Sequence, residues 1–191
     1  TEITALQANS VVKLTTGVVT ATVADASASY LNSTLKDAKA TDALTLTVTG
    51  TTAAASDLKA LDAKTSVAVD ASTNITTITG NAADVKTVLA AAGIDTNNAT
   101  VGVKVSGTVS AADANEIANL TEGVVTATVA AGTAAYLNNV LVNTKVTDAL
   151  TLKVTGTATA AELTTLDSKT SVVVDAKAVT KITGTDLTVA D

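Results

Sequence analysis

One passage occurs twice, and that duplication limits the folds open to this chain more than any other feature. "TTGVVTATVADASASYLNSTLKDAKATDALTLTVTG" (residues 15–50) aligns without a gap with "TEGVVTATVAAGTAAYLNNVLVNTKVTDALTLKVTG" (residues 121–156), an offset of 106. The offset falls to 105 after Gly50, so Leu58, Leu61 and Asp62 match Leu163, Leu166 and Asp167. It falls to 104 at Gly80 and Gly184. "TALQANSVVKL" (4–14) lies over "SAADANEIANL" (110–120). The chain thus divides into copy one, 1–106, and a partial copy two, 107–191.

A finer rhythm runs inside each copy. Alternating segments begin at Val18, Leu44, Val67, Val101, Val124, Leu150 and Val172, mostly with the spacing expected of repeat architectures. In "LTLTVTG", Leu44, Leu46 and Val48 point one way and Thr45, Thr47 and Thr49 the other, the mark of a strand with one dry face. "VVTATVA", "TVGVKVSG" and "VVVDA" read the same way. Between them lie helical periods: Val85, Val88, Leu89 and Ala92, with Gly93 as a C-cap; Leu58 and Leu61; Leu137, Val140 and Leu141. Thr51, Asn81, Ser110 and Thr157 read as N-caps, each preceded by a glycine that lets the strand turn. "NITTITG" lengthens one interval, and Ile75 and Ile78 are expected on a short strand bent away from the main sheet.

Strands separated by such short helices must run parallel, with right-handed crossovers. A doubly wound sheet carries helices on both faces and therefore has continuously apolar strands. These strands alternate, so the expected fold is α/β: a right-handed open α/β solenoid, 1–191, with parallel strands stacked on one side and helices on the other. At one strand spacing per coil the rod would span on the order of 35 to 40 Å.

Composition fits thin layers. Apolar residues make up 47% of the 191, aromatic residues 1%, and there is no Phe, Trp, Met, Cys, Pro or His. The core must be Val, Leu, Ile and Ala. Net charge is −6 and every basic residue is lysine, which argues against a nucleic-acid partner. No apolar run approaches a membrane span. The chain opens on "TEITALQANS" without a Met or a basic leader, which reads as a piece excised or processed from a larger protein.

"AAASDLKALDAKTSVAVDAS", "TNITTITGNAADVKTVLAAAGI" and "AAELTTLDSKTSVVVDAKAVTKITGT" resemble the tandem repeats of very large Thr/Ala-rich surface proteins of cyanobacteria and related bacteria. The resemblance covers residues 51–94 and 157–185, and the "GVVTATV" segments loosely. It implies an extracellular or cell-surface location and a structural or adhesive role, with no catalytic residues to carry over. The glycine–aspartate calcium nonapeptides of such arrays are missing here, so it implies no calcium-dependent fold.

The residues themselves point to no catalytic group, no metal and no cofactor. Without His or Cys there is no Ser–His–Asp triad and no zinc cluster. Lys64 and Ser66, repeated as Lys169 and Ser171, allow a Ser–Lys dyad, against the simpler reading of a lysine at a helix end. Asp62, Asp167, Asp70 and Asp175 are single and dispersed, whereas calcium takes several clustered oxygens. Asp62 is expected to close a helix and Asp70 to lie on the solvated strand face. Tyr30 and Tyr136 share one repeat position and read as packing at a helix start, against sugar stacking. The surface expected to interact is the threonine face of the sheet: Thr20, Thr22, Thr45, Thr47, Thr49, Thr126, Thr128, Thr151, Lys153 and Thr155. High β-propensity explains its threonines equally well.

The expected function is a non-catalytic structural repeat segment of a surface-layer, filament or giant adhesin-like protein. Its expected partners are neighbouring repeats or identical subunits stacked end to end. The alternative is a module that uses threonine ladders to bind polysaccharide or ice. An enzyme on a doubly wound sheet comes third.

Overall fold

Alternation in the sequence becomes alternation in burial. Leu44, Leu46 and Val48 are fully buried while Thr45 is exposed and Thr47 and Thr49 are half-buried. A computed structural model of the chain describes residues 1–184; the end of copy two, 185–191, lies outside the described residues. Copy one holds α1 (Ala5–Leu14), β1 (Thr20–Thr22), α2 (Ala28–Thr34), β2 (Ala43–Thr45), β3 (Thr52–Ala54) and α3 (Ala55–Asp62). It continues through β4 (Val69–Asp70), β5 (Thr77–Gly80), α4 (Ala82–Ala90) and β6 (Ile94–Asp95). Strand β7 (Gly102–Val109) joins the copies. Then come α5 (Ala111–Leu120), β8 (Val125–Val129), α6 (Ala134–Val140), β9 (Ala149–Thr151), β10 (Lys153–Thr159), α7 (Ala160–Asp167) and β11 (Asp175–Thr183).

The protein is α/β. Five strands form a parallel sheet in the order β3-β5-β7-β8-β9, and β1-β2, β4-β6 and β10-β11 form parallel pairs. Each helix touches the next in sequence, from α1 against α2 to α6 against α7. The core between them is built of Val, Leu, Ile and Ala: Leu44, Leu46, Val48, Leu58, Leu61, Val85, Val88, Leu89, Leu137 and Leu141 are buried as their periods predict, whereas Val140 is half-buried and Ala92 exposed.

The duplication extends to strand register. Thr20, Ala21 and Thr22 lie opposite Ala43, Leu44 and Thr45; Thr126, Ala127 and Thr128 lie opposite Ala149, Leu150 and Thr151. The isolated bridges fit the repeat as well: Ile3 to Val23 matches the Val109–Val129 pair of β7 and β8, and Ala26 to Val48 matches Gly132 to Val154.

Four local expectations change. Strand β5, which carries Ile78, is not bent away: it sits inside the five-stranded sheet between β3 and β7. Thr51 and Thr157 are not N-caps. Thr52–Ala54 and Thr157–Thr159 stay paired in strands, so α3 starts after Ala54 without a side-chain cap, and α7 starts after Thr159 in a capping box with Glu162. Asn81 and Ser110 do cap, accepting from the N–H of Asp84 and Asp113. Gly93 is not a C-cap: α4 ends at Ala90 and Ala92 is exposed. A Cβ at Gly93 would lie 1.9 Å from Asp62 Oδ1, so the present position of that carboxylate is one that only glycine leaves room for, and a larger residue would make the Asp62 side chain move. Finally, "VVVDA" is strand only at its end, since β11 begins at Asp175. Gly107 and Gly156 adopt φ of +74° and +76° within β7 and β10, where the register shifts before the next helix.

Candidate interaction surfaces

The threonine face is present, but its ladders are broken. Thr22 lies opposite Thr45, and Thr108, Thr128 and Thr151 line up across three neighbouring strands. Elsewhere the partners differ. Thr20 faces Ala43, Thr126 faces Ala149 and Lys104, and Thr155 faces Ala178. Thr47 and Lys153 occupy one repeat position and both face an aspartate, Asp70 and Asp175. Thr20, Thr22, Thr45, Thr128, Thr151 and Lys153 are exposed, whereas Thr47, Thr49, Thr126 and Thr155 are half-buried.

Across the helices, polar side chains tie each helix to the next. Asn32 Nδ2 donates to Asp57 at 3.0 Å, Lys59 pairs with Asp84 at 2.7 Å, and Lys86 meets Asp113 at 2.7 Å and Glu116 at 2.8 Å. Hydrogen bonds from Lys59 and then Asn81 hold Asp84 below the ordinary carboxylate range; Lys86 and Ser110 do the same for Asp113. Its two acidic partners raise Lys86. These pairs are largely solvated, so each contributes little to stability.

The buried polar residues that join one unit to the next, Asp42, Thr65, Asp148 and Thr170, were not singled out by sequence reasoning. Asp42 is 1% exposed; one carboxylate oxygen accepts the Val19 N–H and the other the Lys39 N–H, both at 2.9 Å. Asp148 repeats this with Val125 and Lys145, at 2.9 and 2.8 Å. Thr65 Oγ1 accepts the Leu44 N–H and donates to the Leu44 carbonyl at 2.7 Å; Thr170 does the same with Leu150. The bonds to Val19, Val125, Leu44 and Leu150 each span twenty or more positions, whereas those to Lys39 and Lys145 are local. The signal was there: "TDAL" and "KTS" are identical in both copies.

Residues weighed for chemistry have other occupations. Ser66 Oγ donates to the Asp42 carbonyl and Ser171 Oγ to the Asp148 carbonyl, both at 3.0 Å, while Lys169 Nζ reaches the Leu141 carbonyl. Asp62 and Asp167 end α3 and α7, as expected. Asp70 does not lie on an open strand face: half-buried, it accepts from Ser72 and Thr73 and closes the turn after β4. Burial pushes its carboxyl up, but those hydrogen bonds outweigh it and the group sits below its ordinary range. Asp175 differs: it opens β11 and accepts the Lys177 N–H at 3.1 Å within the strand. Among the described residues no three His, Cys, Asp or Glu side chains gather where they could hold a metal. Tyr30 and Tyr136 lie in the first turn of α2 and α6 and are half exposed, at 46% and 50%. The grooves are shallow; one of about 380 Å³ is lined by Ala54, Ser56, Thr79, Lys104 and Ser106.

No family model, curated protein or solved structure matches the chain. Among the described residues no helix is long and apolar enough to cross a membrane.

Proposed function

We propose that this chain is a non-catalytic structural segment of an extracellular or cell-surface protein of the surface-layer, filament or adhesin type. It is built as a right-handed open α/β solenoid, with parallel strands stacked on one side and helices on the other. One observation carries the reading: the buried residues repeated without change, Asp42 and Asp148 with Thr65 and Thr170, spend their polar atoms joining one unit to the next. The duplicated chemistry serves cohesion and leaves no reaction centre of its own. The strand order supports this too. It rises through β3-β5-β7-β8-β9 without reversing, so it offers no switch point of the kind where open α/β sheets bind ligands.

The test is the shape in solution. Small-angle scattering should give an elongated particle, and a compact sphere would overturn the reading. A second reading, a threonine face that binds surface polysaccharide or ice, keeps one support: the exposed row Thr108, Thr128 and Thr151. Lys104 and the alanines that break the neighbouring rows weigh against an ice plane. Glycan-array binding lost on Thr128→Lys would favour the polysaccharide version.

A further inference from the structure

One internal joint of the molecule is made twice. In copy one it lies between the layer of α2 and β2 and the chain that follows, α3 and β4. In copy two it lies between α6 with β9 and α7 with β11. The seat is alike in both: Leu31, Leu35 and Leu46 in copy one, and Leu137, Leu141 and Leu152 in copy two, are fully buried. The segment laid on it is held by the same bonds. The Ser66 N–H donates to the Asp42 carbonyl at 2.6 Å and the Asp70 N–H to the Leu46 carbonyl at 2.9 Å. Ser171 and Asp175 repeat both, on Asp148 at 2.7 Å and Leu152 at 2.9 Å. Thr65 and Thr170 each bracket one leucine, Leu44 or Leu150, through its N–H and its carbonyl.

Two differences at the joint concern the segment now on the second seat. Asn32 on α2 donates to the Asp57 carboxylate at 3.0 Å. Its counterpart Asn138 meets Glu162 at that position, but the Glu162 carboxylate is turned back to the Thr159 N–H in the capping box. Asn138 therefore donates to the Glu162 backbone carbonyl at 2.9 Å, and its Oδ1 is buried without a hydrogen-bond partner. Among the described residues the Asn32 amide leaves no such orphan. An unpaired buried oxygen is costly, so the second seat is filled less well than the first. The other difference is one of charge: Thr47 faces Asp70, where Lys153 faces Asp175. Asp70 set opposite Lys153 would gain a cation across the strands.

The chain also enters both joints in the same way. "VTG" precedes each, at 48–50 and 154–156, and Gly50 and Gly156 both adopt positive φ, +103° and +76°. Thr51 can therefore follow Gly156 as it follows Gly50. Such a splice creates one new interface, since every contact within residues 51–156 already exists in the molecule.

Resting on the layered reading above, we propose that the face of copy two now covered by residues 157–184 is also a binding surface for the copy-one segment that begins at Thr51. Three features recognise that segment. The Leu150 backbone takes the Thr65 hydroxyl, Asn138 takes the Asp57 carboxylate, and Lys153 lies opposite Asp70. The array then lengthens by whole periods through an internal joint, each adding the same nearest-neighbour stabilisation.

The test uses the whole chain with residues 51–156 inserted a second time between Gly156 and Thr157. Small-angle scattering should show a particle longer than the parent by four strand spacings, roughly 20 Å. The insertion variant should melt in one transition no lower than the parent and resist limited proteolysis along its whole length. Thr65→Val in the inserted segment should lower its melting midpoint by about 2 °C or more, as Thr170→Val does in the parent, because each removes the hydroxyl that holds Leu150. An insert that is cleaved while its flanks survive, that melts separately below the parent, or that is indifferent to Thr65→Val would overturn the proposal. With an elongated parent, such a result sinks the exchange of segments alone; a compact parent sinks the layered reading beneath it.

Discussion

Val11 and Ile117 occupy one position in two copies of the same helix, yet one is half exposed and the other fully buried. Leu58 and Leu163 differ in the same sense: Leu58 is fully buried under α4, and Leu163, in the last described helix, is only partly covered. The local sequence sets which face of an element is apolar. Whether that face is dry depends on the presence of a neighbouring unit, as expected where stability is a sum of unit and nearest-neighbour terms.

Truncations across the copies should sharpen that contrast. Leu58→Ala should cost about 2 to 4 kcal/mol in denaturant melts, as should Leu46→Ala, because both leave a cavity in a closed core. Leu163→Ala should cost well under half as much. Equal losses at Leu58 and Leu163 would mean that neighbours do not decide burial.

A smaller effect is expected at the buried carboxylates. Asp42→Ala orphans the N–H groups of Val19 and Lys39, and Asp148→Ala those of Val125 and Lys145, at about 1 to 3 kcal/mol each. Both aspartates lie inside the array, so their costs should agree, unlike those of the leucine pair. Smaller again, Gly93→Ala should destabilise by under about 1 kcal/mol, because the added carbon meets only the tip of the Asp62 side chain, which can swing aside. Asp62→Ser in the same background should recover part of that loss.

The smallest effect follows pH. Asp84, Asp113 and Asp70 are lowered from an ordinary value of 3.8. Their contribution is therefore complete above that value and fades as pH falls through the lowered folded values. Lys86 is raised from 10.5, so its part is complete below that and is lost only as pH rises past it. Thermal melts should be flat from pH 5 to 9 to within a few degrees and decline below about pH 4. Lys86→Met should flatten the alkaline limb and reduce the acid one.

What could be read in advance follows from periodicity. Leu44, Leu46 and Val48 against Thr45 obey a period of two, and Val85, Val88 and Leu89 a helical one, so strands, helices and core were legible. Long-range closeness was not. Gly93 after a helix reads as a C-cap, and only the fold brings Asp62 against it. Thr51 and Thr157 have the right chemistry for caps, but pairing with β5 and β11 carries both strands past them. Asp42 looks like a loop acid until Val19 is placed beside it. The threonine face was legible as a face, whereas its rows depend on register, which sets Thr20 opposite Ala43 but Thr22 opposite Thr45.

The central claim is that equivalent positions of the two copies lie a fixed number of layers apart along one stack. Because the chain has no cysteine, spin labels can be placed at Thr22→Cys and Thr128→Cys and their separation measured by pulsed dipolar spectroscopy. Four strand spacings separate these positions in a solenoid, so the account predicts a single narrow distance of roughly 20 Å. A broad distribution, or a distance well beyond four strand spacings, would contradict it.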